Sequence, residues 1–117
     1  MKPLTNIASF LDRFDNFKDG EFRSIEVISP TNIQITLAGQ DKSRDFDWIS
    51  VTLEFSGTDN ARLLEKSKLP FIDMGDGINI TTIENKFLFG VGDTHSNLID
   101  SLCFVSANNI KYQEGNF

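Results

Sequence analysis

Trp48-Ile49-Ser50-Val51-Thr52-Leu53-Glu54-Phe55 is the stretch that decides the fold. Ile49, Val51, Leu53 and Phe55 take every second position, and Trp48, Ser50, Thr52 and Glu54 lie between them. Side chains of a strand point alternately to its two faces, so one face here is wholly apolar and the other mostly polar. That is the pattern of a half-buried antiparallel strand. A parallel strand covered on both faces would read as a continuous apolar run.

The same period extends in both directions. Upstream, Asn32-Ile33-Gln34-Ile35-Thr36-Leu37 alternates with Ile33, Ile35 and Leu37 inward, and Arg23-Ser24-Ile25-Glu26-Val27 puts Ile25 and Val27 on one face. Ser29-Pro30-Thr31-Asn32 between them has turn composition, which predicts a hairpin. Downstream, Ala61-Arg62-Leu63-Leu64 reads as a short strand or the edge of one, and residues 66–77 as a long connection with three breakers. Ile78, Ile80 and Thr82 lead through a tight turn at Glu84-Asn85 to Phe87, Phe89 and Val91. A strand from Leu98 to Val105 and a last short one at Ile110 and Tyr112 complete the set.

Before residue 20 the period is different. Ile7, Phe10, Leu11 and Phe14 are spaced i, i+3, i+4, i+7, one face of a helix. Pro3 suits its entrance, Thr5 or Asn6 its cap, and Asp12, Arg13 and Asp15 should face water. The chain is therefore expected to be mainly β within the α+β class. The expected form is an antiparallel sandwich, or a strongly curved and partly open barrel-like sheet. One N-terminal helix should span about residues 4–15 and strands about 21–113, in a single domain 1–117.

With 117 residues the chain is long enough for one core. Its net charge of −6 is split evenly between the halves. Such a surface repels nucleic acid phosphates and anionic lipid and favours a basic protein partner. The single cysteine, Cys103, allows no internal disulfide, and the N-terminal residues lack the apolar run of a leader. No apolar run is long enough to span a bilayer. The expected location is the cytoplasm.

Few residues suggest chemistry. His95 is the only histidine, and sequence adjacency to Asp93, Thr94 and Ser96 does not assemble a catalytic arrangement. Cys103 reads as a buried small hydrophobe. Gly90-Val91-Gly92 lacks the third glycine and the following helix of a dinucleotide site. Asp73-Met74-Gly75-Asp76-Gly77 lacks the ligand order of a calcium loop and reads as a turn. No cofactor or metal is implied. Asp41, Asp45 and Asp47 form an acidic cluster with Lys42 and Arg44 interleaved, read as a solvated hairpin loop. Trp48 follows on the polar face, either packed beneath Phe10 or Phe14 of the helix or exposed as an interface anchor. The eleven phenylalanines otherwise read as core.

The order of elements carries a resemblance. A short helix precedes Phe17-Lys18-Asp19-Gly20-Glu21-Phe22 and a hairpin, and a later strand ends in Phe55-Ser56-Gly57 before Ala61-Arg62-Leu63. Over residues 10–63 this resembles small β-rich bacterial domains of uncharacterised or toxin-immunity type, although Lys18 stands where those domains often carry histidine. The resemblance implies no catalytic residues. The leading expectation is a non-enzymatic protein-binding module, in its concrete form an acidic immunity protein neutralising a basic toxin. Asp41, Asp45, Asp47 and Trp48 are its candidate contacts. The alternatives are a small-molecule-binding domain with an apolar pocket, a structural or assembly subunit, and an enzyme using carboxylates, for which Asp73, Asp76 and His95 would be the residues to change.

Overall fold

In chain order the elements are β1 (Lys2–Pro3), α1 (Ile7–Arg13), β2 (Glu21–Ser29), β3 (Asn32–Asp41), β4 (Asp47–Ser56), β5 (Asn60–Arg62), β6 (Ile78–Ile83), β7 (Lys86–Val91), β8 (Phe104–Ala107) and β9 (Asn109–Asn116). The computed structural model describes residues 1–92 and 103–117. Tight 3-10 turns occupy Asp15–Phe17, Lys42–Arg44 and Lys66–Phe71.

The strands form two antiparallel sheets, one ordered β1-β9-β4-β3-β2 and the other β5-β8-β7-β6. Neither closes into a barrel, so the mainly β, two-layer expectation holds. The β2–β3 and β6–β7 hairpins fall where the turn residues put them. The latter turns through Glu84 and Asn85, both at positive φ. β4 is flanked by β3 over its whole length and by β9 from Ile49 to Ser56, with Leu53 opposite Ile35 and Tyr112.

The alternation of β3 and β4 becomes two distinct faces. Ile33, Ile35, Leu37, Ile49, Val51, Leu53 and Phe55 are all buried on the inner face. They join Ile78, Ile80, Phe89 and Val105 of the second sheet in one continuous core. The Phe55 and Phe89 rings meet 5.2 Å apart across the layers. The outer face is polar: the Thr36 and Thr52 hydroxyls lie 3.0 Å apart, and the Gln34 amide donates to Glu54 at 2.9 Å.

Several expectations need correction. The helix is shorter than 4–15, because Pro3 belongs to β1, an edge position where its missing N–H is harmless. Asn6 is the cap, its side chain accepting from the Ser9 amide. Val27 keeps the inward phase of Ile25 but is 58% exposed, since it lies toward the end of an edge strand where the second layer does not reach. Phe46, Phe71 and Phe117 are exposed rather than core. His95 and the start of the strand expected from Leu98 lie outside the described residues. Cys103 is buried as expected, and desolvation pushes its thiol up to about 11.

The chain between helix and β2 packs beneath the helix. Phe10 stacks among Phe14, Phe17 and Tyr112, with ring centroids 5.3, 6.0 and 5.5 Å away. Phe17 is fully buried despite a positive φ of 57°. It sits over Gly39, where an added Cβ would stand 2.8 Å from the ring. Gly39 is thus the hollow in β3 that admits Phe17.

Candidate protein-binding surface

The connection from β3 to β4 contains all four candidate residues, and the structure separates them into an inner anchor and an outer tip. Asp41 continues the inward row Ile33, Ile35, Leu37, Gly39, and its side chain is fully buried. The reading of Asp41 as part of a solvated loop is therefore corrected. A buried carboxylate requires a partner, and the helix supplies it. Arg13 is three residues after Phe10, on the same helical face. It donates to both Asp41 oxygens, at 2.8 and 2.6 Å, and to Glu114. Arg13 was expected to face water; instead it reaches inward from the end of α1. Glu114 is the corresponding inward position of β9, two residues beyond Tyr112. Arg44 completes the group, 3.3 Å from Asp41 and 3.5 Å from Glu114. Two carboxylates thus face two guanidinium groups and the cluster is neutral.

The Arg13 guanidinium holds the Asp41 carboxyl well below the usual carboxylate range against the opposing effect of burial, with Ser43 assisting. Asp41 raises the Arg13 pKa in return. Asp41 also shapes the loop: its carboxylate accepts from the Ser43 amide and hydroxyl at 2.9 and 2.7 Å, capping the Lys42–Arg44 turn. Its carbonyl accepts from the Phe46 amide at 2.9 Å and closes the loop. The residue first read as a contact for a partner is the anchor from which the tip is hung.

Beyond the anchor the chain turns through two consecutive left-handed residues, Asp45 at φ 53° and Phe46 at φ 64°. Such a backbone suits glycine, asparagine or aspartate and costs a bulky residue about 1–2 kcal/mol. Phe46 nevertheless holds it with its side chain 56% exposed. Asp45 and Asp47 are exposed and have no ion-pair partner among the described residues.

Trp48 lies on the outer face opposite Gln40, 38% exposed. It does not pack under the helix, which covers the inner face. Its neighbour is the Phe117 ring, 5.4 Å away and itself 56% exposed. The Arg23 guanidinium lies 4.1 Å from the centre of that ring and donates to the Phe117 carbonyl at 2.7 Å. One end of the five-stranded sheet therefore presents three exposed aromatic side chains with two free carboxylates between them. Asp45, Asp47 and Trp48 are exposed here beside two side chains that the sequence did not single out, Phe46, a phenylalanine directly after Asp45 in a turn, and Phe117, which carries no local signal.

Among the described residues, no group of three or more His, Cys, Asp or Glu side chains is placed to hold a metal ion. The Asp73–Gly77 segment is an ordinary turn, with Asp73 accepting from the Gly75 amide at 2.8 Å and Gly77 at φ 70°. No described helix is long and apolar enough to cross a membrane. Comparison with protein-family models, with curated proteins and with solved structures finds no match to this chain.

Proposed function

We propose that this chain is a non-enzymatic protein-binding module whose contact surface is the tip formed by Asp45, Phe46, Asp47, Trp48 and Phe117. Phe46 carries the reading: a large apolar side chain held in a strained backbone yet left in water. Local strain at an exposed position is a cost the isolated chain does not recover, and sites of recognition are where such costs persist. Tryptophan and other aromatic side chains dominate the binding energy of interfaces. The free carboxylates Asp45 and Asp47 and the net charge of −6 select a basic partner. Cationic side chains of that partner would stack on the aromatic faces and pair with the two aspartates. A basic toxin neutralised by an acidic immunity protein is the concrete instance.

The test is affinity capture from the source lysate at about 50 and about 500 mM salt, with the wild-type chain beside the Phe46→Asn and Asp45→Asn/Asp47→Asn variants. A basic partner held at low salt, lost at high salt and lost by both variants is the expected result. A partner whose capture ignores both salt and these substitutions would refute the assignment. Trp48 is the only tryptophan, so its fluorescence should become protected from acrylamide when the purified partner is added.

A further inference from the structure

A second surface lies along the outer edge of β2. A cleft of about 650 Å³ runs between Gly20–Glu26 on one wall and Lys66, Leu69, Pro70, Ile72 and Met74 on the other. At about 3.3 Å per residue the strand wall is roughly 20 Å long, enough for a segment of six or seven extended residues.

β2 is an edge strand. It pairs with β3 on one side only, and no backbone hydrogen bond reaches its other side among the described residues. The facing wall cannot supply one. The Lys66–Phe71 turn satisfies its own backbone, with the Lys68 amide donating to Glu65 and the Ile72 amide to Leu69. Pro70 has no N–H at all. The two walls therefore meet through side chains, chiefly the buried Leu69, and the strand's polar row stays open.

Sheet edges are usually blunted by shortness, proline or lysine. β1 has two residues including Pro3, and β5 has three. β2 has nine, with neither proline nor lysine, and it exposes Val27 and Ile28 at 58% and 51%. Its register slips twice, between Phe22 and Ser24 and between Val27 and Ser29, which leaves Ser24 to Val27 as the continuous stretch.

We infer that this cleft takes an extended, uncharged peptide segment of a partner protein, which adds to β2 as a further strand. The open row of alternating N–H and C=O groups is matched by another peptide backbone, and the apolar wall receives every second side chain. The charges here favour neither a basic nor an acidic segment. Glu21 is held by Arg23 at 3.0 Å, and the remaining Glu26 and Lys66 balance. This site borders the tip through Arg23, which lines the cleft and lies over Phe117, and differs from the tip in being electrostatically neutral.

The experiment pans the whole chain against a displayed random heptapeptide library and follows the enriched peptide by titration and by amide NMR. Enriched peptides should alternate apolar residues and carry no net charge. Their affinity should change by less than about twofold between about 50 and 500 mM salt. The largest amide shifts should fall within Ser24 to Val27. Methylating alternate peptide nitrogens, which removes the donors of strand pairing, should weaken binding about tenfold or more. The V27K/I28K double substitution should do the same, and because both positions are exposed the fold is retained, as a thermal melt checks. Phe71→Ser, an 85% exposed position on the opposite connection, serves as a second variant and should weaken binding less. No enrichment over a blocked surface, binding indifferent to peptide methylation or to V27K/I28K, or shifts centred on Phe46 and Trp48 would each overturn the assignment.

Discussion

Phe17 and Phe46 hold the same left-handed backbone, at φ 57° and 64°, in opposite surroundings. Under the helix, Phe17 is fully buried, stacked on Phe14 at 4.7 Å and seated over Gly39. Burying a phenylalanine contributes roughly 1.5–3 kcal/mol, which exceeds the strain of about 1–2 kcal/mol. At the hairpin tip, Phe46 carries the same strain and stays more than half exposed, so burial offsets much less of it. The region around Phe17 is explained by folding alone. The region around Phe46 is left open to solvent, and the proposed contact rests on that. Asp41 and its neighbours Asp45 and Asp47 divide in the same way: the first is locked among Arg13, Arg44 and Ser43, while the other two are open to solvent.

Three substitutions can break or sharpen this contrast. The largest effect is expected from Phe17→Ala, which empties a fully buried site and should cost about 3–4 kcal/mol in a denaturant titration after allowing for relief of strain. A cost below about 1 kcal/mol would mean that the pocket over Gly39 is not packed as described.

Asp41→Asn comes next. It leaves Arg13 facing Glu114 alone and should destabilise the fold by about 3 kcal/mol at neutral pH. The pH dependence follows from the direction of the shift. The folded-state pKa of Asp41 lies below its ordinary value of 3.8, so its contribution is complete above that value. It fades as the pH falls further and the unfolded chain takes up the proton first. The wild-type stability should therefore drop steeply below about pH 4, and the Asn variant should show a shallower decline. Parallel curves for the two would place the buried charge elsewhere.

Phe46→Asn should have the smallest effect and the opposite sign. Asparagine tolerates the left-handed backbone, so the variant should gain about 1 kcal/mol while losing partner binding. A loss of stability would mean that Phe46 packs within its own chain, and the difference from Phe17 would disappear.

Part of the inner anchor was legible in advance. Ile33, Ile35, Leu37, Gly39 and Asp41 form one row of period two, and Ile110, Tyr112 and Glu114 form another. An acid at the end of each row, continuing the inward phase, asks for a cation on the covering element. Arg13 stands three residues beyond Phe10 on the helix face that turns inward. The local turn composition of residues 39–45 hid this, because turn residues and inward alternation overlap at Asp41. Trp48 was placed correctly on the polar face. Its true neighbour, Phe117, is 69 residues away in the chain and no periodic pattern links them. The cleft beside β2 was equally hidden, since strand order decides which strand is left at an edge.

The sequence by itself determined the longer strands, their faces and the β2–β3 and β6–β7 hairpins, because a period of two and the turn residues act over a few neighbouring positions. It also determined that the surface would be acidic. The tertiary structure alone decided which aspartate is buried and which are free, which phenylalanines fill the core and which are exposed, and which strand edge stays open. Each of these depends on what the second layer and the helix happen to cover, and coverage is set by contacts between residues far apart in the chain.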